Sequence, residues 1–412
     1  MRASPGKRVL MLLENSDYEH DTRVRAEAET LQANGYEVTV INRRSRGQKF
    51  HEVMSGVHLY TFRMPATASG SLGYLTEYLY ATLAMFGISL IVSVRRGFDV
   101  VHTHNPPDIL FLVAGFYKLF GKRFVYDHHD LGPELYDARF AGRGNPLVRW
   151  ALVVGEKLAC RLADRVIATN ASYRVVEMER SGVPAERITI VRNGPDLRIF
   201  HPVPPDPDLR RRAGTLIGYI GVMGPQDGVD YLLRAVRHLV FDLKQEDIFC
   251  VIMGKGDSVQ DLKRLAHELE IEKQVWFTGW VSYDDLLCYL STVDIGVDPD
   301  PSNPFNDRCT MIKMMNYMTM SKPIVAFDLP EHRVTAGDAA AYARPNSELD
   351  FAQQINALIA DPERQRRMGM LGRQRIESAL AWPYQAQNLL NAYATVSAGD
   401  GRSNGRNGAM QR

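Results

Sequence analysis

The chain has 412 residues, and its composition excludes several classes of protein. Hydrophobic residues make up 45% and charged residues 24%, as in soluble globular proteins, and the length favours two domains of roughly 200 residues each. The formal net charge of +1 gives no reason to expect a nucleic acid as partner. The four cysteines have no C-x-x-C spacing, which indicates a reduced cytoplasmic protein without structural zinc.

Short β-rich segments alternate with helical patterns along both halves of the chain. The segments are nearly continuous apolar runs, which indicates parallel sheets covered by helices on both faces. We therefore predict an α/β protein with two doubly wound, Rossmann-like domains at residues 1–200 and 214–378. The proline-dense segment after His201 predicts a linker over 201–213. The domains would then face each other across a cleft between the carboxyl ends of their strands, where such sheets bind ligands.

The two ends of the chain differ in character. Near the N-terminus a short apolar run is followed by no signal-peptide cleavage pattern, so we predict that it forms the first strand. Residues 379–396 are predicted to form a helix. Residues 397–412 are rich in Gly, Asn and Arg without apolar periodicity, and we predict that they are disordered.

Glycines follow two predicted strands of the second half. Gly221, Gly224 and Gly228 come after one strand and before a helical pattern, and Gly254 and Gly256 come after another. Glycine lets backbone N–H groups approach a phosphate, and the amino end of a helix favours its negative charge. The pattern predicts a phosphate-binding turn, with an ordinary β–α turn as the alternative.

Two strands of the first half end in histidines. The run Asp127–Asp130, with sequence DHHD, ends one strand, and His104 and Asn105 end another. We expect His104 and Asn105 to overhang the cleft. Two adjacent histidines between aspartates also suggest a metal site, but adjacent side chains of a strand point to opposite faces, so we expect none. A structural role for the histidines is the alternative.

The first predicted strand leads into a helix. Asp21 is its predicted N-cap, and Arg23 and Arg25 lie in its first turn. Either arginine could hold a phosphate of an acceptor substrate. A solvated helical turn is the alternative.

One segment resembles a known signature. Residues 303–328, NPFNDRCTMIKMMNYMTMSKPIVAFD, resemble the nucleotide-sugar motif K-x-x-E-Y-M-A-x-G-K-P-V-V of retaining GT-B glycosyltransferases of the GT4-like family. Lys313, Tyr317 and Lys322 stand where the motif requires them. The resemblance covers most of the chain and implies a GT-B fold, a nucleotide diphosphate held by the second domain, and a terminal helix that crosses back to the first.

The resemblance also implies roles for single residues. His129, with His128 as the fallback, falls where the family has a histidine close to the transferred sugar. Asp21, Arg23, His104 and Asn105 would face the acceptor. The donor would be contacted by Gly221, Gly224, Asp227, Gly228, Gly254, Gly256, Asp307, Arg308, Lys313 and Asn316.

The chain departs from the family at four donor positions. Met223 and Asp227 lie in the region where the family has Arg and Lys for the diphosphate. Arg308 and Asn316 replace two glutamates. Asn can still accept a hydrogen bond from ribose, at a loss of about 1 kcal/mol, so we expect weaker binding and not its abolition. Lys313 becomes the best-placed cation for the leaving nucleotide.

The run Leu79–Val94 has sixteen residues without a charge. As a helix it would be about 24 Å long, shorter than a hydrocarbon core of about 30 Å. Its apolar character, with arginines after it, suits a helix lying at a membrane surface, and a domain core helix is the alternative. We therefore expect a cytoplasmic protein peripherally attached to the inner face of the cell membrane.

These observations predict a retaining glycosyltransferase. It would move a sugar from a nucleotide-diphosphate sugar, with UDP the expected nucleotide, to a lipid-linked or oligosaccharide acceptor in bacterial exopolysaccharide, capsule or O-antigen assembly, without a metal or other cofactor. An inactive GT-B assembly partner and a GT-B sugar-nucleotide epimerase are the alternatives. A dinucleotide-dependent dehydrogenase is disfavoured because no G-x-G-x-x-G follows the first strand.

Overall fold

The computed structural model describes residues 7–45, 47–65, 71–140 and 142–398. The described chain divides into two compact units. The first contains residues up to 133, 145–192 and the segment from 385 onward, and the second contains 134–144 and 193–384. The predicted disordered tail lies outside the described residues from Gly399 onward, and the last helix extends to Ala398.

The first unit is built on an eight-stranded sheet. Its order is β3-β4-β2-β1-β5-β6-β7-β8, and only the β3–β4 pair is antiparallel among the described strands. The central strands are buried on both faces, as their apolar sequences predict. The strands are β1 (Arg8–Leu13), β2 (Glu37–Arg43), β3 (His51–Met54), β4 (Val57–Phe62), β5 (Val100–His104), β6 (Arg123–His128), β7 (Arg165–Ala168) and β8 (Ile188–Ile190).

The second unit is built on a parallel sheet of six strands with the order β11-β10-β9-β12-β13-β14. Apolar clusters cover both faces of the sheet. The order reverses at β9, so the loops after β9 and β12 lie at a topological switch point, where open α/β sheets bind ligands. The strands are β9 (Thr215–Ile220), β10 (Ile248–Met253), β11 (Val275–Gly279), β12 (Ile295–Asp298), β13 (Ile324–Phe327) and β14 (Ala340–Ala343).

The helices connect these strands and cover the sheets. They are α1 (Thr22–Ala33), α2 (Ser71–Arg95), α3 (Phe111–Lys118), α4 (Gly132–Arg139), α5 (Pro146–Leu162), α6 (Ala171–Glu179), α7 (Pro207–Arg210), α8 (Val229–Arg237), α9 (Val259–Glu268), α10 (Tyr283–Thr292), α11 (Ile312–Thr319), α12 (Pro330–Ala336), α13 (Glu348–Ile359), α14 (Pro362–Arg375) and α15 (Trp382–Ala398).

Two connecting segments are packed and not free. Residues 201–213, predicted as a linker, contain α7, and the backbone N–H groups of Val203 and Asp206 donate to the hydroxyls of Ser291 and Thr292. This segment therefore belongs to the second unit. From Gln385 onward, α15 belongs to the first unit, where the Tyr393 hydroxyl lies 2.9 Å from His102 Nδ1.

Candidate active site

The glycine turns after β9 and β10 in the second unit pack directly against each other. A Cβ added at Gly254 would lie 1.9 Å from the carbonyl oxygen of Gly221, and one at Gly256 would lie 2.3 Å from that of Met223. A side chain cannot fit at such distances. These two glycines are therefore required by the contact between the turns, whether or not a phosphate also approaches them.

Backbone N–H groups of this turn already have partners. Gly221 N–H donates to Met253 O, and Met223 N–H donates to Lys255 O. Gly224 N–H donates to Asp227 Oδ2 at 2.8 Å. Burial raises the pKa of Asp227, and Lys313 opposes that effect. The prediction that Gly224 contacts the donor through its amide needs correction, because Asp227 accepts that N–H.

Lys313 lies beside this turn but is paired. Its Nζ lies 2.7 Å from both oxygens of Asp300 and 3.4 Å from Asp298 Oδ1. Burial would lower the pKa of Lys313, but the two carboxylates outweigh burial and hold the pKa well above its usual value. Lys313 is therefore a charged, fixed cation next to Gly221, whose added Cβ would lie 3.5 Å from Lys313 Cε. The sequence predicts Lys313 as the best-placed cation for the leaving nucleotide, and the structure adds that its charge is shared with two aspartates.

The two aspartates that pair with Lys313 were not singled out from the sequence. Asp298 ends β12, and Asp300 follows it in the sequence Asp-Pro-Asp. Asp298 Oδ2 lies 3.5 Å from His332 Nε2, and one donor atom each of Asp298, Asp300 and His332 could hold a metal ion. Lys313 already supplies positive charge to this group. The signal was available, because two carboxylates at the end of a buried strand at a switch point mark a site.

The loop before α11 is tied to the glycine turn. Asn306 Nδ2 donates to Gln226 O at 2.9 Å and to Pro301 O at 2.8 Å. Arg308 Nη1 donates to Pro304 O, and the buried Asp307 Oδ1 has no hydrogen-bond partner among the described residues. Asn306, which the sequence analysis did not single out, therefore holds the loop in place.

Asn316 lies one helical turn after Lys313 on α11 and is partly exposed. Tyr317 next to it is buried, and its hydroxyl accepts from Ile220 N–H and donates to Val297 O, which fixes the ends of β9 and β12 together. The family positions Lys313 and Asn316 thus lie on one face of α11, beside the ends of the central strands.

In the first unit, Arg23 is part of a buried ionic cluster. It donates to both oxygens of Asp127 at 2.7 and 2.8 Å and to Val191 O at 3.0 Å, and it lies 3.3 Å from Glu27. The prediction that Arg23 holds an acceptor phosphate is therefore wrong, because its guanidinium is buried and bound inside the unit. Asp21 is confirmed as the N-cap of α1, since its carboxylate accepts from Val24 N–H.

His104 and Asn105 are buried, so the expectation that they overhang a cleft is also wrong. His104 Nδ1 lies 3.0 Å from Asp127 Oδ2. Asn105 Oδ1 accepts from the N–H groups of His129 and Asp130 at 2.8 and 3.1 Å. Asn105 thus positions the segment after β6, and His104 Nε2 is buried without a hydrogen-bond partner among the described residues.

His128 and His129 have different surroundings. His128 is completely buried between Glu156 and Glu177, which outweigh burial and hold its pKa well above the usual value. The side chain of His129 is 13% exposed, and its Nδ1 lies 3.4 Å from Asp127 Oδ2. Burial would lower the pKa of His129, but the bond to Asp127 outweighs it and raises the pKa. His128 cannot reach a substrate in this arrangement, whereas His129 is held by a carboxylate with part of its surface open.

One cluster of the first unit has metal-ligand chemistry. Donor atoms of Glu27, His102, His104 and Asp127 lie within 4.8 Å of one another, and all four residues are buried. Arg23 contacts both carboxylates of this cluster. Its guanidinium therefore supplies the positive charge that two buried carboxylates require.

Comparisons with known proteins identify the family. Residues 20–194 match the Glycosyl transferase 4-like domain family, and residues 214–361 match the Glycosyl transferases group 1 family. The chain is 26% identical to the alpha-maltose-1-phosphate synthase of Mycolicibacterium smegmatis, over 77% of this chain and 84% of the relative. It is 24% identical to the D-inositol 3-phosphate glycosyltransferase of Salinispora tropica, over 84% of this chain and 74% of the relative.

Solved structures show the same fold. The sucrose-phosphate synthase of Thermosynechococcus elongatus superposes with a TM-score of 0.78 and 19% identity, over 95% of this chain and 100% of that one. HepE of Anabaena, in complex with UDP and glucose, has a TM-score of 0.71 and 16% identity, over 94% of this chain and 100% of that one. The chain belongs to the GT-B glycosyltransferases of the 4-like and group 1 families.

Proposed function

We propose that this protein transfers a sugar from a UDP-sugar, with retention of anomeric configuration, to a phosphorylated or lipid-linked acceptor of a bacterial surface polysaccharide. The observation that carries the proposal is the site of the second unit, where the glycine turn after β9, the fixed Lys313 and the amino end of α11 meet at the ends of the central strands. This arrangement suits a nucleotide diphosphate, because a cation and a helix amino end both favour its charge. UDP is supported by the HepE structure, which contains UDP and glucose.

The relatives' names support the acceptor class that we propose. Two relatives are named for phosphorylated sugars, maltose 1-phosphate and inositol 3-phosphate. A third, the glycosyltransferase TuaH of Bacillus subtilis, is named for a proposed role in teichuronic acid biosynthesis and is 26% identical over 70% of this chain and 70% of its own. We therefore propose an anionic saccharide acceptor.

Lys313, His129 and Asn316 have separate roles in the proposed transfer. Lys313 and the α11 amino end offset the charge of the departing diphosphate, so the proposed transfer needs no metal. His129, oriented by Asp127, positions the sugar or the incoming hydroxyl group. Asn316 accepts a hydrogen bond from a ribose hydroxyl in place of a glutamate.

Attachment to the cytoplasmic face of the membrane is part of the proposal. Thr76–Arg95 of α2 is long and apolar enough to cross a membrane by length and composition, with a mean hydropathy of 1.6 and 33% burial. The helix connects β4 and β5 of one sheet, and its own residues Ala81, Met85 and Val92 are buried. We therefore propose that α2 lies on the membrane surface and does not span it.

The second candidate function is an assembly partner without transfer activity. Asp227 accepts the Gly224 N–H, and Asp298 and Asp300 balance the charge of Lys313. These contacts leave the site with fewer unpaired N–H groups and less net positive charge for a diphosphate. An epimerase is disfavoured, because family glutamates are replaced by Arg308 and Asn316.

A hydrolysis assay separates these functions. Purified protein is incubated with UDP-, GDP- and ADP-glucose. The free glucose that is released is measured, and the anomer that forms first is identified. We expect slow hydrolysis of UDP-glucose with initial release of the α-anomer, unchanged by EDTA. Epimerisation of the donor, or binding without any hydrolysis or transfer, would contradict the proposal.

A further inference from the structure

A pocket of about 490 Å³ lies in the first unit, beside the carboxyl ends of β2 and β4. Arg43, Arg44 and Arg63 line it, and no acidic residue is among the lining residues that the structure describes. The carboxyl ends of parallel strands are the side on which α/β sheets bind ligands. The pocket is distinct from the buried Arg23 cluster.

Two of the arginines are held in place by the protein. Arg44 Nε donates to Thr61 Oγ1 at 2.7 Å and its Nη2 donates to Thr61 O at 3.0 Å. Arg43 Nη1 lies 3.3 Å from Glu77 Oε1. These contacts use only part of each guanidinium, so both groups are oriented and still have N–H donors for a ligand.

Arg63 is different, because its side chain is exposed and makes no hydrogen bond or ion pair with the residues that the structure describes. Its carbonyl oxygen accepts from the Tyr80 hydroxyl at 3.1 Å, which fixes the backbone there. The pocket therefore combines two oriented guanidinium groups with a third whose charge has no partner in the described chain.

Nearby carboxylates do not cancel this charge. Glu77 contacts Arg43, and Asp17 accepts from Ser45 Oγ at 2.5 Å and lies 2.7 Å from His20 Nδ1. Neither carboxylate lines the pocket. Glu14 is a third nearby carboxyl group, and burial and Glu77 raise its pKa to about 7, so it carries less negative charge at neutral pH than an ordinary carboxylate. The three guanidinium groups line the cavity itself, which leaves it with an excess of positive charge.

We propose that this pocket binds the phosphate group of the acceptor, which rests on the proposed function. Guanidinium groups bind phosphate through two parallel N–H···O bonds, and three of them around one cavity select a phosphate over a neutral hydroxyl. Arg43, Arg44 and Arg63 thus take the role that the sequence analysis gave to Arg23 or Arg25.

Calorimetric titration with glucose 1-phosphate tests the site, in the presence of saturating UDP so that the nucleotide site is occupied. Glucose is the uncharged control ligand. We expect Arg63→Gln to weaken binding of glucose 1-phosphate by about tenfold, the effect of one charge-assisted contact, and Arg63→Glu to weaken it further. Arg367→Gln in the second unit, also exposed, should leave it unchanged.

A second arm identifies the source of the phosphate. Cosedimentation with phosphatidylcholine vesicles, with and without phosphatidic acid, is measured for the wild type and the Arg63 variants. Loss of the phosphatidic acid dependence in Arg63→Glu assigns the site to a lipid-borne phosphate, and retention assigns it to a soluble sugar phosphate. If neither ligand binds, or Arg63 variants bind both as the wild type does, the proposal is overturned. Donor hydrolysis is measured in parallel for the wild type and Arg367→Gln, which should be equal, so a failure of transferase activity is seen separately from a failure of this pocket.

Discussion

Glu14 follows β1 and is buried, and its Oε1 has no hydrogen-bond partner among the described residues. Burial and the nearby Glu77 raise its pKa to about 7, and Arg43 opposes them. The folded state therefore binds a proton more tightly than the unfolded state, whose carboxyl group has its usual pKa near 4.5. It follows that stability falls as the pH rises from the unfolded value through about 7.

Replacement of Glu14 by Gln should remove this pH dependence. We expect Glu14→Gln to raise the free energy of unfolding by about 2 to 3 kcal/mol at pH 8 and to change it little at pH 4.5. Urea denaturation at the two pH values measures the difference, with the exposed Glu179→Gln as control. An equal effect at both pH values would contradict the assigned pKa.

His129 is the one predicted catalytic histidine that retains an exposed surface. His129→Gln keeps a hydrogen-bonding side chain but removes the imidazole, so we expect kcat for donor hydrolysis to fall by about 100-fold with little change in the KM for the donor. His201→Gln, at an exposed position of the second unit, serves as control. A change confined to KM would assign His129 to binding alone.

Asn316 distinguishes a tuned site from an inactive one. Asn316→Glu should tighten UDP binding by about fivefold, because a hydrogen bond to a charged acceptor is worth about 1 kcal/mol more than a neutral one. Asn316→Leu should weaken binding, since a ribose hydroxyl loses its partner. Calorimetry with UDP measures both variants. Equal affinity of all three proteins would favour the inactive partner.

At the scale of the elements, the sequence predicts strands better than contacts. Strands such as β1 and β10 are buried on both faces, so their apolar runs are visible in the sequence. The partners of polar residues are not visible there. Arg23 meets Asp127 across 104 positions, and the pairing of Lys313 with Asp300 depends on how α11 packs beside β12. Residue types and motif positions therefore indicated which segments form strands, and the charge pairing at the strand ends required the structure.

The exposed side of three helices favours a membrane surface. On α2, Leu83 and Val94 are 62% and 89% exposed, and Leu119, which directly follows α3, is 83% exposed. On the described positions of α2, α3 and α5 the exposed residues include arginines and no carboxylate. Apolar side chains with only positive charges among them match an anionic bilayer.

Charged substitutions on α2 should therefore release the protein from vesicles. We expect Leu83→Glu to lower the affinity for vesicles containing phosphatidylglycerol by at least tenfold, because burial of a leucine contributes about 1.5–3 kcal/mol. Met370→Glu, at a residue 65% exposed in the second unit, is the matched control. Cosedimentation measures binding, and alkaline carbonate should extract the wild type. Protein that resists carbonate and needs detergent would show insertion in place of surface attachment.

At the scale of the whole molecule, each unit has its own sheet and its own buried polar cluster. The first unit holds the cluster of Arg23, Glu27 and Asp127, and the second holds Asp298, Asp300 and Lys313. In each, a cation and two carboxylates fix strand ends, so both sites are rigid before a ligand arrives. Because each cluster is already fixed, we expect the ligand selectivity of each unit to depend on the few side chains around that cluster.

The proposed nucleotide site in the second unit predicts which backbone amides UDP protects from exchange. UDP should slow amide hydrogen exchange at residues 219–228, 253–258 and 298–316, because a ligand that binds only the folded second unit lowers the population of its open states. Strands β2 and β4 should exchange as without UDP. Mass spectrometry of peptides from both units measures the exchange with and without UDP. Asn316→Leu should require more UDP for the same protection. Protection of the first unit with none in the second would place the nucleotide on the other sheet and overturn the role of Lys313 and α11.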